Sequence, residues 1–327
     1  MRSPGVLEHT ARIEVYDGSQ KQIWDEFVHA SKNGTFLFYR SYMDYHRDRF
    51  QDYSLLVWVD GQLTALFPAN RIGSTLVSHG GLTYGGFITG ATMGVCLMVD
   101  IVRHVVAFLR GQGFRKLVYK AIPYIYHRLP AEEDRYALFR LGARLCRRDV
   151  TTTVIPGLGI PFQKRRRRCA RKAMKAGVEV GPSEDFESFW PILEWNLATF
   201  HQKKPVHTLE EMKSLHLSFP EHIKLYIASL HGEAIAGALI YETPTVAHAQ
   251  YIASSALGRS LGALDLLFSY LIEVVYRSKP YFDFGVSTEA EGWVLNTGLV
   301  EFKEGFGGRT VTHDFYELDL IASRGDE

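Results

Sequence analysis

The sequence predicts an α/β protein with mixed sheets, built from two copies of one unit. Residues 54–155 read as a strand hairpin, a third strand, a helix, a strand, a helix and a strand, and residues 224–318 repeat that order. An offset of roughly 160–170 residues between matching elements indicates duplicated domains and not a solenoid of short repeats. The hairpins predict antiparallel pairs, and the strand–helix–strand connections predict parallel ones.

The bulk composition is that of a globular protein with two domains. The chain has 327 residues, and we expect domains at 1–160 and 161–327, with the boundary in the Pro/Gly stretch PGLGIP at 156–161. Hydrophobic content of 46% and charged content of 22% allow sizeable cores. A net charge of +1 argues against a protein that coats nucleic acid with its whole surface.

Three features bear on location. The cysteines, Cys96, Cys146 and Cys169, are odd in number and widely spaced, which predicts neither a disulfide framework nor a metal site and fits a reducing cytoplasm. Residues 1–15 contain no apolar segment of the signal-peptide kind. Charges interrupt the longest apolar run, at 95–109, so we expect no membrane partner and a cytoplasmic protein.

The first half begins with helical spacing and continues with alternating strands. Asp60-Gly61 predicts the hairpin turn, and Gly111 and Gly113 end the longest helix. The predicted helices and strands, in chain order, are helices Lys21–Ala30 and Tyr39–Phe50, strands Ser54–Val59, Leu63–Pro68 and Ser74–His79, helix Ala91–Arg110, strand Phe114–Lys120, helix Asp134–Cys146 and strand Asp149–Ile155.

The second half repeats the pattern around a hairpin at His231-Gly232. A strongly apolar helix follows its third strand, and a short apolar strand follows that helix. The predicted elements are helices Asp185–Phe200 and Leu209–Leu217, strands Lys224–Ser229, Ala234–Glu242 and Val246–Ala253, helix Ser260–Arg277, strand Tyr281–Val286, a short helix Gly292–Lys303 and strand Arg309–Leu318.

Three segments resemble a known family. They are the DFG of Asp283–Gly285, the FKEGFGG of Phe302–Gly308 and the basic stretch RRRRCARKAMKAGVEV of Arg165–Val180. With the element order, they resemble the Fem-type (nonribosomal peptidyltransferase) superfamily, in which two GNAT-like acyltransferase domains are fused. The resemblance implies a tandem GNAT-like fold with an interdomain cleft, and a tail after about residue 310 that packs back on the first domain.

The resemblance also implies an activity. The chain contains no heptad insertion for a coiled-coil arm and is shorter than most peptidoglycan-building members, which favours relatives that acylate nucleotide-linked amino sugars. We therefore expect N-acyl transfer from acyl-CoA, a cosubstrate and not a tightly bound cofactor, to a dTDP- or UDP-amino sugar for surface polysaccharide. The alternatives are an aminoacyl-tRNA-dependent peptidyltransferase and a non-catalytic module that binds a glycan precursor.

Four residues are candidates for the chemistry. Asp283 lies in an apolar strand, where a carboxylate must be paired or act as a base of raised pKa. Lys303 matches the lysine that Fem-like enzymes place near the acyl group, and otherwise pairs with a neighbouring glutamate. His79, beside a glycine-rich loop, and Tyr251, at a strand end, are a further candidate base and acid.

The segment before the apolar helix resembles the GNAT loop that holds a pyrophosphate with backbone N–H groups. Here Arg259-x-x-Gly262-Ala263 is an imperfect copy of the motif, and the alternative is a capped helix start with small packing residues. The predicted acyl-CoA-binding residues are Ser254, Ser255, Gly258, Arg259 and Gly262.

A nucleotide diphosphate calls for cations that can make bidentate contacts. The run Lys164–Lys175 has eight Lys and Arg and no acid, so it predicts a diphosphate site, a tRNA backbone patch or a solvated helix face. The predicted nucleotide-sugar-binding residues are Arg40, His46, Tyr84, Arg167 and Arg168.

Overall fold

The computed structural model describes residues 10–321, apart from the side chains of His46 and His201. We expect no signal peptide in residues 1–15, and most of that stretch lies outside the described residues. The described chain divides into two compact units, one of residues 10–148 with 313–321 and one of residues 149–312. The domain boundary expected at 160 and 161 stays a prediction.

The helices reproduce most of the expected ones. Lys21–Ala30 forms as predicted, whereas the expected helix Tyr39–Phe50 shrinks to one α-helical turn followed by the 3-10 turn Asp44–His46. The α-helices are α1 (Lys21–Ala30), α2 (Arg40–Met43), α3 (Val95–Gly111), α4 (Glu133–Arg140), α5 (Lys164–Lys175), α6 (Phe186–His201), α7 (Leu209–Ser218), α8 (Ala256–Leu261), α9 (Ala263–Tyr270) and α10 (Thr297–Glu304).

The strands supply both hairpins that the sequence predicts. Asp60 and Gly61 have φ angles of 49° and 80°, and His231 and Gly232 have 52° and 85°, which are the left-handed values that two-residue hairpin turns need. The strands are β1 (Ala11–Val15), β2 (Gln51–Asp52), β3 (Leu55–Val59), β4 (Gln62–Phe67), β5 (Asn70–Ile72), β6 (Thr75–Val77), β7 (Ile88–Thr89), β8 (Lys116–Lys120), β9 (Arg144–Val154), β10 (Glu179–Ser183), β11 (Ile223–Leu230), β12 (Glu233–Glu242), β13 (Val246–Ser254), β14 (Tyr281–Val286), β15 (Thr288–Glu289), β16 (Val294–Leu295) and β17 (Arg309–Asp319).

The first unit contains two sheets around one core. Strands β1, β3, β4 and β7 pair antiparallel in that order, and a second run has the order β17, β8, β6, β5, β2 with a parallel β6–β8 pair. Helix α3 places Val102, Val105 and Leu109 in this core, against residues such as Phe67 and Leu117. The predicted mixed α/β class is confirmed for this unit.

The second unit is a mixed sheet whose strands run β10, β11, β12, β13, β14, β9. All neighbours pair antiparallel except β13 and β14, which pair parallel. Its core is aromatic, since Phe268 of α9 contacts Phe282, Phe284 and Phe306.

Two expected helices differ from the observed ones. One ends earlier than expected, and the other is interrupted. The expected helix Asp134–Cys146 stops at Arg140, because Gly142 turns the chain with a φ of 78° into strand β9. The expected helix Ser260–Arg277 is broken into α8, α9 and the π-helical turn Leu271–Val275.

The break in that helix has a packing cause. Gly262 has a φ of 85°, and a Cβ there would lie 2.8 Å from the carbonyl oxygen of Cys169. The backbone of α5 therefore comes too close for any side chain, and the left-handed turn at Gly262 divides α8 from α9. The expected helix Gly292–Lys303 is also shorter, since Asn296 caps α10 by accepting a hydrogen bond from Leu299 N at 3.1 Å.

Within residues 10–321, no helix combines the length and the apolar character that a bilayer crossing requires.

Candidate active site

The parallel ladder between β13 and β14 ends where two polar side chains face each other. It pairs three residues on each strand, and the last pair is His248 opposite Asp283. Beyond this point β13 runs on to Ser254, while β14 shifts its register against β9 between Asp283 and Val286. In the described part of the chain, the ladder gives residues 249–254 no further partner on β14, so the strands part at the His248–Asp283 pair.

Asp283 is fully buried and satisfied by three donors. His248 Nδ1 lies 2.8 Å from Asp283 Oδ2, Thr153 Oγ1 donates to Oδ1 at 2.8 Å, and the backbone N–H of Gly285 donates to Oδ2 at 3.2 Å. Because a carboxylate only accepts, His248 must carry its proton on Nδ1, which makes Nε2 the basic nitrogen of the neutral imidazole. The side chains that bond the Asp283 carboxylate therefore include His248 and Thr153.

Gly285 leaves the space beside that imidazole. Its φ is 74°, and a Cβ there would lie 3.3 Å from Cε1 and 3.7 Å from Nε2 of His248. A side chain at this position would therefore adopt a strained backbone and crowd the basic edge of the ring. The geometry of the His248–Asp283 pair therefore explains why the DFG motif has a glycine at this position.

Lys303 holds the bulge in β14 that follows Asp283. Its ammonium donates to Gly285 O at 2.7 Å, Val286 O at 3.0 Å and Ser287 Oγ at 2.7 Å. Burial lowers the pKa of Lys303 from 10.5 to about 8, against the opposing effect of the Asp283 charge. All three N–H donors are used, so this geometry suits a residue that positions the strand. The role of Lys303 at the oxyanion stays a prediction.

Tyr251 lies on the stretch of β13 beyond the ladder. Its hydroxyl is 2.8 Å from His207 Nδ1 and accepts from Val206 N at 3.2 Å, and Trp190 packs edge-on against the ring. The side chain is half-buried, and its role as an acid stays a prediction.

The predicted pyrophosphate loop is the short helix α8 and its cap. Ser255 is the N-cap residue and accepts from Gly258 N at 3.1 Å, while Ser254 is fully buried. A Cβ at Gly258 would lie 2.3 Å from the carbonyl oxygen of Ile235, so this glycine is required for packing. The segment is therefore a capped helix start with a packing glycine, and its contact with a pyrophosphate stays a prediction.

Arg259 is engaged with two aromatic rings. Its guanidinium lies 3.6 Å from the ring centre of Phe200 and 5.6 Å from that of Trp195. Burial lowers the pKa of Arg259. The side chain therefore stacks on helix α6, and its contact with a phosphate stays a prediction.

Helix α5 presents cations to solvent on most of its surface. Arg167 and Arg168 are exposed, whereas Arg166 is buried and donates to Asp265 Oδ1 at 2.8 Å. The Arg166 guanidinium also stacks over Phe302 at 4.7 Å. The α5 cations, which we define as the exposed ones, are Lys164, Arg165, Arg167, Arg168, Arg171, Lys172 and Lys175.

Four other predicted residues belong to the first unit. Arg40 and His79, each 2% exposed, both line a cavity of 230 Å³. Tyr84 is buried against Tyr126 with its hydroxyl 3.1 Å from Thr35 Oγ1, and its contact with a nucleotide sugar stays a prediction. The side chain of His46 lies outside the described residues.

The sequence did not single out His248, Thr153 or Arg166. A usable signal for His248 exists, because it lies between the alanines 247 and 249 of a predicted strand, as Asp283 lies between two phenylalanines of the next strand along the chain. Among residues 10–321, no group of three or more His, Cys, Asp and Glu side chains has a metal-binding arrangement.

The comparisons with known proteins bear on the second unit first. Residues 162–303 match the family model of an acetyltransferase (GNAT) domain. The matched segment lies inside the unit of residues 149–312 and contains the His248–Asp283 pair, α8 and Lys303. No curated protein matches the sequence significantly.

Solved structures extend the likeness to nearly the whole chain. FemX has a TM-score of 0.65 at 13% identity, over 94% of this chain and 97% of its own. L-PGS from Bacillus licheniformis has 0.61 at 13%, over 95% and 94%. A tandem GNAT protein from the clavulanic acid biosynthesis pathway has 0.51 at 10%, over 96% and 100%. At these identities the likeness is one of fold, and it confirms the predicted tandem GNAT-like fold.

Proposed function

We propose that the protein is an N-acyltransferase that moves an acyl group from acyl-CoA to the amino group of a nucleotide-linked (dTDP or UDP) amino sugar. The observation that carries this proposal is the His248–Asp283 pair at the point where β13 and β14 part. The GNAT domain supports the acyl-transfer class. The nucleotide sugar and the surface polysaccharide it feeds come from the sequence resemblance, and a cytoplasmic location comes from the cysteine pattern and the charged apolar run. These are the finer parts of the proposal.

The parting strands offer a place for the acyl donor. Where β14 leaves β13, the backbone of residues 249–254 presents a strand edge on that side. An extended chain that contains amides, such as the pantetheine arm of CoA, can hydrogen-bond to such an edge in the manner of an added strand. A thioester docked there would place its carbonyl near the pair His248–Asp283.

The reaction needs one base and no covalent enzyme intermediate. His248 Nε2 takes a proton from the sugar ammonium, directly or through one water, and the amine adds to the thioester carbonyl. The nitrogen of the tetrahedral intermediate loses its second proton to the medium, the intermediate collapses, the C–S bond breaks and the thiolate leaves. It takes up a proton from the medium or from Tyr251, giving the amide and CoA. Asp283 fixes the imidazole and stabilises its protonated form, so it acts as a positioning residue.

The test is a thiol-release assay with acetyl-CoA and a panel of amines that includes dTDP- and UDP-amino sugars. We expect turnover that depends on the nucleotide sugar, and His248→Gln should lower it by about 10²–10⁴-fold. His231→Asn is the matched control, because that histidine is exposed in a hairpin turn at a φ of 52° that Asn tolerates. Turnover unchanged by His248→Gln would remove this base from the mechanism.

The α5 cations favour a second candidate function, aminoacyl-tRNA-dependent peptidyl transfer. Seven exposed Lys and Arg side chains occupy one helix that contains no acidic residue. If tRNA binds there, affinity should fall steeply with salt, and each neutralised cation should flatten the slope by about one unit. A nucleotide diphosphate would depend on Arg167 or Arg168 only. Binding of a nucleotide sugar without any transfer would favour the non-catalytic module.

A further inference from the structure

The first unit contains a cavity that the acyl-transfer chemistry of the second unit does not use. Its volume is 230 Å³, below the roughly 300–1,000 Å³ of pockets for drug-sized ligands, so it suits a ligand of about one sugar ring. The walls include the aromatic rings of Tyr16 and Phe50, the imidazole of His79, and the charged groups of Arg40, Asp44 and Asp52.

A buried arginine fixes the acidic side of the cavity. The Arg40 guanidinium bonds Asp44 Oδ1 at 2.5 Å, bonds Asp52 Oδ2, and stacks 3.7 Å from the ring centre of Tyr16. The guanidinium is therefore committed to carboxylates. Two carboxylates neutralise this buried guanidinium, and the contact of Arg40 with nucleotide phosphates stays a prediction.

The cavity wall keeps an excess of negative charge. Asp17, Asp44 and Asp52 supply three carboxylates against the two guanidinium groups of Arg40 and Arg47, which leaves one negative charge. The Asp44 side chain is 40% exposed, and among the described residues only Arg40 bonds its carboxylate, through Oδ1. Oδ2 of Asp44 is therefore an acceptor held in a fixed position at the cavity.

Another part of the cavity wall is a strained turn that buried polar groups hold in place. His79 has a φ of 46°, which is uncommon for a residue other than glycine, and it is 2% exposed. The buried ammonium of Lys120 donates to the carbonyl oxygens of His79 and Leu82, and Asn70 Oδ1 accepts from Gly80 N at 2.6 Å. Backbone strain fixed by buried polar groups is typical of functional sites.

We propose that this cavity binds a small ligand of single-ring size that bears a primary ammonium, as an amino sugar does. Asp44 Oδ2 accepts from the ammonium, and the rings of Tyr16 and Phe50 cover the apolar faces of the ligand. The inference concerns binding to the first unit alone. It holds whether or not the second unit transfers acyl groups.

The test is calorimetric titration of the full chain, without CoA, with glucosamine and with N-acetylglucosamine. The two probes share a ring and differ in the ammonium, so we expect glucosamine to bind at least about tenfold more tightly, the value of one charge-assisted hydrogen bond. Equal affinity for the two sugars, or no heat of binding with glucosamine at millimolar concentrations, would overturn the proposal. Either result would leave the acyl-transfer proposal untouched.

Two variants assign the site. Asp44→Asn retains a carbonyl oxygen for Arg40 and should weaken glucosamine binding about tenfold or more, whereas Asp48→Asn, on an exposed side chain outside the cavity wall, should not. His79→Asn keeps a residue that tolerates a positive φ and removes one wall, so it should also weaken binding. Wild-type affinity in both Asp44→Asn and His79→Asn would place the ligand elsewhere.

Discussion

His248 and Asp283 are joined by a hydrogen bond of 2.8 Å at the last pair of the parallel ladder between β13 and β14. The pairing of β13 with β14 therefore ends, and the two strands begin to separate, at the position of this paired imidazole. The orientation of the imidazole is set by the sheet itself, because both partners lie on strands and not on loops. Such placement gives a precisely held group at the mouth of the proposed substrate site.

Replacing Asp283 by Asn should reduce activity more than stability. Asn offers one carbonyl oxygen where Thr153, Gly285 and His248 now donate to two carboxylate oxygens, so the imidazole loses its fixed tautomer. We expect kcat/KM to fall by about 10²-fold or more and its pH profile to shift, with folding retained in thermal unfolding. An unfolded variant would show that Asp283 is a structural residue only.

Gly285→Ala and Gly232→Ala form a matched pair. Both glycines have positive φ angles, 74° and 85°, so each alanine should cost about 1 kcal/mol of unfolding free energy. Only the Cβ at position 285 would crowd His248, because nothing lies within 4 Å of a Cβ at position 232. We expect similar losses of stability in urea denaturation, with reduced turnover confined to Gly285→Ala. Equal turnover in the two variants would argue against His248 as the base.

The sequence predicts those helices, strands and turns whose bounds depend only on nearby residues. Helix α1 and strand β14 have their predicted bounds, and both hairpin turns lie at the predicted Asp-Gly and His-Gly pairs. The break at Gly262 could not be predicted, because its cause is the approach of the Cys169 backbone from another helix. Periodicity describes a helix on its own and contains no information about such an approach.

The sequence predicts only part of the candidate site, because the rest depends on contacts between distant segments. A buried carboxylate must be paired, so the need for a partner at Asp283 follows from the sequence, whereas the partner's identity depends on strand register. His248 becomes that partner only because β13 and β14 pair in parallel with these two residues opposite each other. The ion pair between Arg40 and Asp52, 12 residues away, likewise depends on the tertiary structure.

The pKa of Lys303 predicts a pH dependence of stability above neutral pH. Burial places the native pKa at about 8, below the ordinary value of 10.5, so the unfolded chain binds more protons between these values. The unfolding free energy should therefore rise with pH across this window, by about 3 kcal/mol from this group. Urea denaturation of wild type and Lys303→Met measures the difference. The exposed Lys175→Met should keep the wild-type slope, and a parallel slope in Lys303→Met would refute the assignment.

Asp134 should give the opposite trend at acidic pH. It is buried, accepts from Tyr119 Oη, and burial raises its pKa from 3.8 to about 6. The native state thus holds a proton that the unfolded chain releases, so stability falls as pH rises from about 4 to about 6, by about 3 kcal/mol. Asp134→Asn cannot titrate and should lack this fall. Thermal unfolding from pH 4 to 7 compares the two, and identical pH profiles would contradict the prediction.

The neighbouring arginines Arg166 and Arg167 of α5 should differ sharply in their contribution to the free energy of unfolding. Arg166 is buried, bonds Asp265 and stacks on Phe302, whereas Arg167 is exposed. Arg166→Met leaves the Asp265 carboxylate buried without its cation and should cost about 3–5 kcal/mol in urea denaturation, while Arg167→Met should be near neutral. The double variant Arg166→Met with Asp265→Leu should recover most of the loss, since a buried ion pair can often be replaced by apolar groups at little net cost. A double variant no more stable than Arg166→Met would show that the stacking on Phe302, and not the ion pair, stabilises this face of the helix.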